Sequence, residues 1–173
     1  KHDLLDVAKF IVPEGVSCIF IRQPQALGLG HAVLCAKPVV GDEPFAVILA
    51  DDLIDGEESP CLSQMVSIYE KQQCSVIAVE EVEKAETDKY GIIKPQNLYE
   101  GVSTIKNIVE KPAPDKAPSL LAVVGRYILT PAIFSHLEKI DRGAGGEIQL
   151  TDAIAQLLIE EQVLAYQFKG IRY

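Results

Sequence analysis

Two adjacent carboxylates, Asp51 and Asp52, end the apolar run Phe45-Ala46-Val47-Ile48-Leu49-Ala50. Neighbouring carboxylates repel and resist burial, so the pair either stays solvated, as in a turn after a strand, or binds a hard divalent cation such as Mg²⁺. A second stretch with chemical reach is Arg22-Gln23-Pro24-Gln25-Ala26-Leu27-Gly28-Leu29-Gly30, a polar loop just ahead of a helical pattern. Its glycines either let a ligand approach free backbone N–H groups or serve the geometry of the turn. A third, Glu110-Lys111-Pro112, sets an acid beside a base and on its own reads as a solvated strand end.

Elements must bring these residues together. The spacing predicts a helix over 3–12, a strand over 16–21, a helix over 31–36 and a strand over 45–50. The last of these, apolar throughout, reads as buried on both faces, with its acids at the carboxyl end where open α/β sheets bind ligands. A helix over 62–72 and a strand over 75–80 complete a second strand-helix-strand unit, so the first half is expected to be parallel and doubly wound. The acidic run 80–88 reads as a solvated face or loop. In the second half, runs 90–95, 103–112 and 121–129 are separated by loops too short for a full helix, which predicts antiparallel or mixed pairing. Thr130-Pro131 reads as an N-cap with proline in the first turn of a helix through Leu137. A loop over 141–146, a helix over 147–158 and a strand over 163–168 follow.

Composition narrows the functional classes. The 173 residues carry 48% hydrophobic and 24% charged side chains, ordinary for one globular domain with a sizeable core. A formal net charge of −9 argues against nucleic acid and against an anionic membrane, while leaving room for an anionic substrate in a local basic pocket. No apolar run is long enough to cross a bilayer and the first residues do not read as a signal peptide, so a cytoplasmic protein is expected. Cys18, Cys35, Cys61 and Cys74 form no C-x-x-C pair, and most sit beside apolar residues as buried free thiols do, so neither a zinc site nor a disulfide framework is expected. His2, His31 and His136 read as ordinary surface or helix-end residues.

An ordered set of motifs carries a resemblance. It comprises Gln23-Pro24 with Leu27-Gly28-Leu29-Gly30-His31-Ala32-Val33, Val47-Ile48-Leu49-Ala50-Asp51-Asp52, Tyr90-Gly91-Ile92, Val109-Glu110-Lys111-Pro112, Val124-Gly125-Arg126-Tyr127 and Gly146-Glu147-Ile148-Gln149-Leu150-Thr151-Asp152. Over nearly the whole chain it resembles the sugar-nucleotide pyrophosphorylases, and among them the bacterial UTP:glucose-1-phosphate uridylyltransferases. The resemblance implies an α/β, Rossmann-like nucleotidyltransferase fold, with a mixed, mostly parallel sheet flanked by helices.

It also implies roles. Gln23 and the backbone at Gly28 would recognise uracil, since an amide both donates and accepts. Gly91 would let the hexose approach, Glu110 would accept from sugar hydroxyls, and Gly125 would line the sugar pocket. Lys111 would hold the sugar phosphate as a point charge. Asp51 would be the Mg²⁺ ligand, and Asp51 and Lys111 the catalytic residues, with Asp52 left without an assigned role. Glu147 would order the sugar end or cap the following helix. The implied reaction joins UTP and glucose 1-phosphate into UDP-glucose and pyrophosphate. The nucleophile is already an anion and needs no general base. A homo-oligomer is implied as well.

The sequence departs from the family in lacking the first strand with its glycine-rich loop and a second metal-binding aspartate. A single domain over 1–173, incomplete at both ends and inactive alone, is therefore expected. A glucose-1-phosphate thymidylyltransferase and a non-catalytic sugar-nucleotide-binding domain are the competing readings.

Overall fold

The computed structural model describes residues 15–56 and 58–173, so the helix expected over 3–12 lies outside the described residues. Helices α1 (Leu29–Cys35) and α2 (Lys37–Val40) precede β1 (Phe45–Ile48) and a short β2 (Ile54–Asp55). Then come α3 (Cys61–Gln72), β3 (Ser75–Glu81), a 3-10 turn (Lys84–Lys89), β4 (Gly91–Tyr99), β5 (Val102–Glu110) and β6 (Leu121–Leu129). Helix α4 (Ala132–Leu137), α5 (Leu150–Glu160), β7 (Val163–Gln167) and β8 (Ile171–Arg172) complete the order. Six strands form one sheet in the order β1-β6-β3-β7-β5-β4, with an extra bridge from β4 to β6 at Ile92 and Ala122. Strands β2 and β8 form a separate antiparallel pair.

Strand β3 is the spine of the core. Ile77 and Val79 point to a layer with Phe134, Leu150, Ile154 and Leu157, contributed by α4 and α5. Val76 and Ala78 point the other way, to a layer with Cys61 and Met65 of α3 and Leu164 of β7. Alternation along a strand sends successive side chains to opposite faces, so a strand covered on both sides must be apolar at every position, as Val76-Ile77-Ala78-Val79 is.

The α/β architecture with helices flanking a mixed sheet agrees with expectation, but the balance of strand directions does not. Only β3–β7 is parallel among the described pairings. Strand β6 lies between β1 and β3, antiparallel to both, where the sequence reading set the 45–50 and 75–80 strands in one parallel run. Strand β1 is correspondingly less covered than expected: its residues alternate between half-buried and exposed, and Ile48 is 56% exposed.

Residues 16–21 form no strand. Phe20 is 96% exposed and Ile19 65%, and the segment has no ladder partner among the described residues. Thr130 does not cap α4; the N-cap is Pro131, and the Thr130 hydroxyl donates instead to Glu161 Oε1 at 2.6 Å. Helix α5 starts three residues later than expected because Ile148 is in backbone pairing, its N–H donating to Leu27 O at 2.7 Å and its O accepting from Gly30 N–H at 2.9 Å. All four cysteines are free thiols. No helix among the described residues is long and apolar enough to cross a membrane.

Candidate active site

The acidic turn is built where β1 runs out. Leu49 N–H donates to Gly125 O at 2.9 Å, carrying the β1–β6 contact one residue past the strand, and Asp52 N–H turns back to Leu49 O at 3.4 Å. Arg126 clasps the outside of the turn: Nη1 donates to Leu49 O at 3.1 Å and to Gly125 O at 2.8 Å, and Nη2 to Asp52 O at 2.6 Å. The two acids then part company. Asp52 is buried, its Oδ2 accepting from Gly125 N–H at 2.5 Å and its Oδ1 paired with Arg172 Nε. Asp51 is exposed and accepts no hydrogen bond from the described residues.

Glycine at 125 is a steric requirement of this turn. A Cβ there would stand 2.5 Å from Asp52 Oδ2 and 2.7 Å from Leu49 Cβ, closer than real contacts allow. Arg172 reaches the turn because β8 pairs with β2 in a register that sets Arg172 opposite Ile54. Its Nη1 lies 3.4 Å from Glu80 Oε2, and its guanidinium stands 5.3 Å above the Tyr90 ring. Burial works against this charge, but hydrogen bonds to Tyr90 and Asp52 outweigh it and hold the arginine pKa above its ordinary value.

Glu110 and Lys111 come from the carboxyl end of β5. Strand register places Gly91 directly opposite Glu110. Glu110 Oε2 accepts from the Thr151 hydroxyl at 2.6 Å, which fixes the carboxylate and leaves Oε1 facing Lys111 Nζ at 3.7 Å. The lysine side chain is 58% exposed, so this ion pair is weak and the ammonium stays available to an anion. Lys111 adopts φ +43°, a left-handed conformation that costs a side-chain-bearing residue on the order of 1 kcal/mol. Its N–H donates to Tyr90 O at 3.0 Å, which anchors the turn.

These segments enclose one cavity of ≈ 340 Å³. Asp51, Asp52, Gly91, Glu110, Lys111 and Gly125, singled out in the sequence, all line it. So do Tyr127, Thr151 and Arg172, which sequence reasoning gave no role. Burial, then the nearby charges of Glu110 and Asp52, raise the Tyr127 pKa above its ordinary value, so its hydroxyl remains protonated. Thr151 sits inside a quoted motif, but nothing in the sequence tells that its hydroxyl meets Glu110. Arg172 carries no motif signal at all.

Gln23 and Gly28 do not line this cavity. The Gln23 amide donates to Gly28 O at 3.1 Å and stands 3.0 Å from His31 Nδ1. Gly28 lies against Glu147, whose Cβ would be 2.8 Å from a Cβ at 28. Glu147 does not cap α5, whose N-cap is Gln149; its carboxylate instead accepts from Gln149 Nε2 at 3.2 Å. A larger groove of ≈ 760 Å³ runs between α3 and the β4–β5 hairpin, lined by Gln64, Lys71, Asn97 and Tyr166 among others, and holds none of the sequence-predicted site residues.

The donor set bears on a cation. Among the described residues no group of three or more His, Cys, Asp or Glu side chains converges. Asp52 is already committed to Gly125 and Arg172, whereas Asp51 faces the cavity unpaired among the described residues. One carboxylate with the remaining positions filled by water and phosphate is a common arrangement for Mg²⁺, so the residues present fit that ion.

A cavity lined by three acids and three bases at the carboxyl end of β1, in a mixed sheet with helices on both faces, lies where open α/β sheets bind polar ligands. A family model described as nucleotidyl transferase matches residues 3–172, and the chain belongs to that family. It is 50% identical over 155 residues to a UTP–glucose-1-phosphate uridylyltransferase of Pseudomonas aeruginosa, covering 89% of this chain and 56% of the relative. A solved UDP-glucose pyrophosphorylase complexed with UDP-glucose superposes with a TM-score of 0.87 at 52% identity, covering 90% of this chain and 59% of that one. A UTP-bound UDP-glucose pyrophosphorylase from Acinetobacter baumannii gives a TM-score of 0.86 at 46% identity, covering 99% and 60%. The chain thus spans under two thirds of the length of these relatives.

Proposed function

We propose that the ≈ 340 Å³ cavity is the sugar-phosphate end of a UTP:glucose-1-phosphate uridylyltransferase site. One observation carries the reading: Asp51, Gly91, Glu110, Lys111 and Gly125, drawn from separate stretches of chain, line a single cavity. The names of the relatives supply the substrates, UTP and glucose 1-phosphate, and the product, UDP-glucose.

In the reaction a phosphate oxygen of glucose 1-phosphate attacks the α-phosphorus of UTP; the new P–O bond forms as the α–β bridge breaks and pyrophosphate leaves. The attacking oxygen is anionic, so rate comes from alignment and charge neutralisation. Lys111 brings an exposed ammonium to the sugar phosphate. Glu110, held by Thr151, accepts from hexose hydroxyls, and Gly91 and Gly125 line the same pocket. Gln23 and the backbone at Gly28 serve the uracil edge. Asp51 would hold Mg²⁺, which supplies further neutralisation of phosphate charge. The expected homo-oligomer and cytoplasmic setting belong to the same reading, and light scattering checks the first.

The test is pyrophosphate release by the full-length protein, with UTP and dTTP in parallel. UTP is expected to be preferred at least tenfold. Preference for dTTP would make it a thymidylyltransferase, and UDP-glucose binding without pyrophosphate release a non-catalytic binding domain. Gln23→Ala is expected to narrow the gap between the two nucleotides.

A further inference from the structure

We propose that Arg172 is the positioning residue of the acidic turn: by holding Asp52 it leaves Asp51 as the acid of the pair whose carboxylate is uncommitted among the described residues. The inference rests on the reading of Asp51 as the cation ligand. Two adjacent acids on one turn are interchangeable by charge, and a turn free to swing would offer either, or both, to a cation. The structure separates them. Both line the cavity, but Asp52 is buried with one oxygen on Gly125 N–H and the other on the Arg172 guanidinium, while Asp51 is exposed and accepts no hydrogen bond from the described residues.

Arg172 suits this task because it is itself fixed from several sides. The β2–β8 ladder sets its backbone opposite Ile54, two residues after Asp52, and Tyr173 N–H extends that ladder to Leu53 O at 3.0 Å. Glu80 at the end of β3 holds the far side of the guanidinium, and the Tyr90 ring lies against its face. Tyr90 precedes Gly91, and its carbonyl accepts from Lys111 N–H at 3.0 Å. One side chain therefore joins the metal-side turn to the backbone that carries the sugar-phosphate lysine. A planar fork makes both ion pairs at once, which an ammonium cannot do from a single point.

The experiment uses the full-length protein with Arg172→Met, Arg172→Lys, Asp52→Asn and the Arg172→Met/Asp52→Asn double variant. Amide hydrogen exchange is read without ligand, and the Mg²⁺ concentration for half-maximal pyrophosphate release is read in the assay. Arg172→Met is expected to speed exchange over residues 49–53 and at Gly125 at least tenfold. It is also expected to raise the half-activating Mg²⁺ concentration about tenfold, with KM for UTP changed less than twofold. Arg172→Lys should fall between wild type and Arg172→Met. In the Asp52→Asn background Arg172→Met should add less than twofold. A lower melting temperature with unchanged exchange at the turn and unchanged Mg²⁺ requirement would overturn the proposal and leave Arg172 a general structural tie. Faster exchange at the turn in a protein that releases no pyrophosphate would support the positioning role of Arg172 and refute the uridylyltransferase reading; unchanged exchange in an active protein would do the reverse.

Discussion

Asp51 and Asp52 are one residue apart and chemically alike, and the fold gives them opposite fates. Asp52 is consumed by Gly125 and Arg172, so the acid left to meet a cation is Asp51. Asp51→Asn in the full-length protein should lower kcat about 100-fold or more, since charge neutralisation at a phosphoryl centre contributes several kcal/mol; turnover within about threefold of wild type would contradict the assignment. Thr151 acts one step back. Its hydroxyl fixes Glu110, so Thr151→Val should raise KM for glucose 1-phosphate about fivefold, the loss of roughly 1 kcal/mol expected for one hydrogen bond, with KM for UTP little changed. Steady-state kinetics on both substrates read this split. At this scale the sequence was informative about acids, lysine and glycines, because charge and the absence of a side chain are visible in it. It was silent on Arg172, whose partners lie 120 and 92 positions away in the chain.

Elements decide what a glycine or a run of apolar residues means. The Gly28-Leu29-Gly30 stretch left two readings open, ligand approach or turn geometry. Among the described residues the second is realised at Gly30, whose N–H donates to Ile148 O and where a Cβ would stand 2.6 Å from that oxygen. Gly30→Ala must separate two backbone segments and should cost about 2 kcal/mol of stability, read by denaturant unfolding; a loss under about 0.5 kcal/mol would show that the contact gives way easily. The helices expected over 31–36, 62–72 and 147–158 and the one through Leu137 were legible to within a few residues because their spacing is a local property, whereas the single turn of α2 gave no such signal. Strand directions were not, because β6 slips between β1 and β3 from some fifty residues further on, and no periodicity records that choice. The apolar run at 45–50 looked doubly buried, yet the strand covered on both faces is β3.

Across the molecule, burial sorts chemically identical groups. Cys61 lies in the α3 layer, where burial, partly offset by the Arg126 charge, pushes its thiol pKa up to about 11, while Cys18 is exposed. A raised thiol pKa means a neutral sulfur at pH 8, so alkylation there should modify Cys18 at least tenfold faster than Cys61, as peptide mass spectrometry would read. The same sorting applies to charge. A chain of net charge −9 places Lys89, Lys111 and Arg172 around one cavity, where they balance Asp51, Asp52 and Glu110 and make it less acidic than the rest of the surface. The second and larger groove beneath α3 holds acids and bases of its own, such as Lys71 and Glu100, but none of the residues singled out in the sequence. The structure of the full-length protein with UDP-glucose bound therefore tests the central claim most directly. The hexose is expected between Gly91 and Glu110, with the phosphate next to it in contact with Lys111. A hexose seated in the α3 groove, or one making no contact with Glu110 and Lys111, would contradict it.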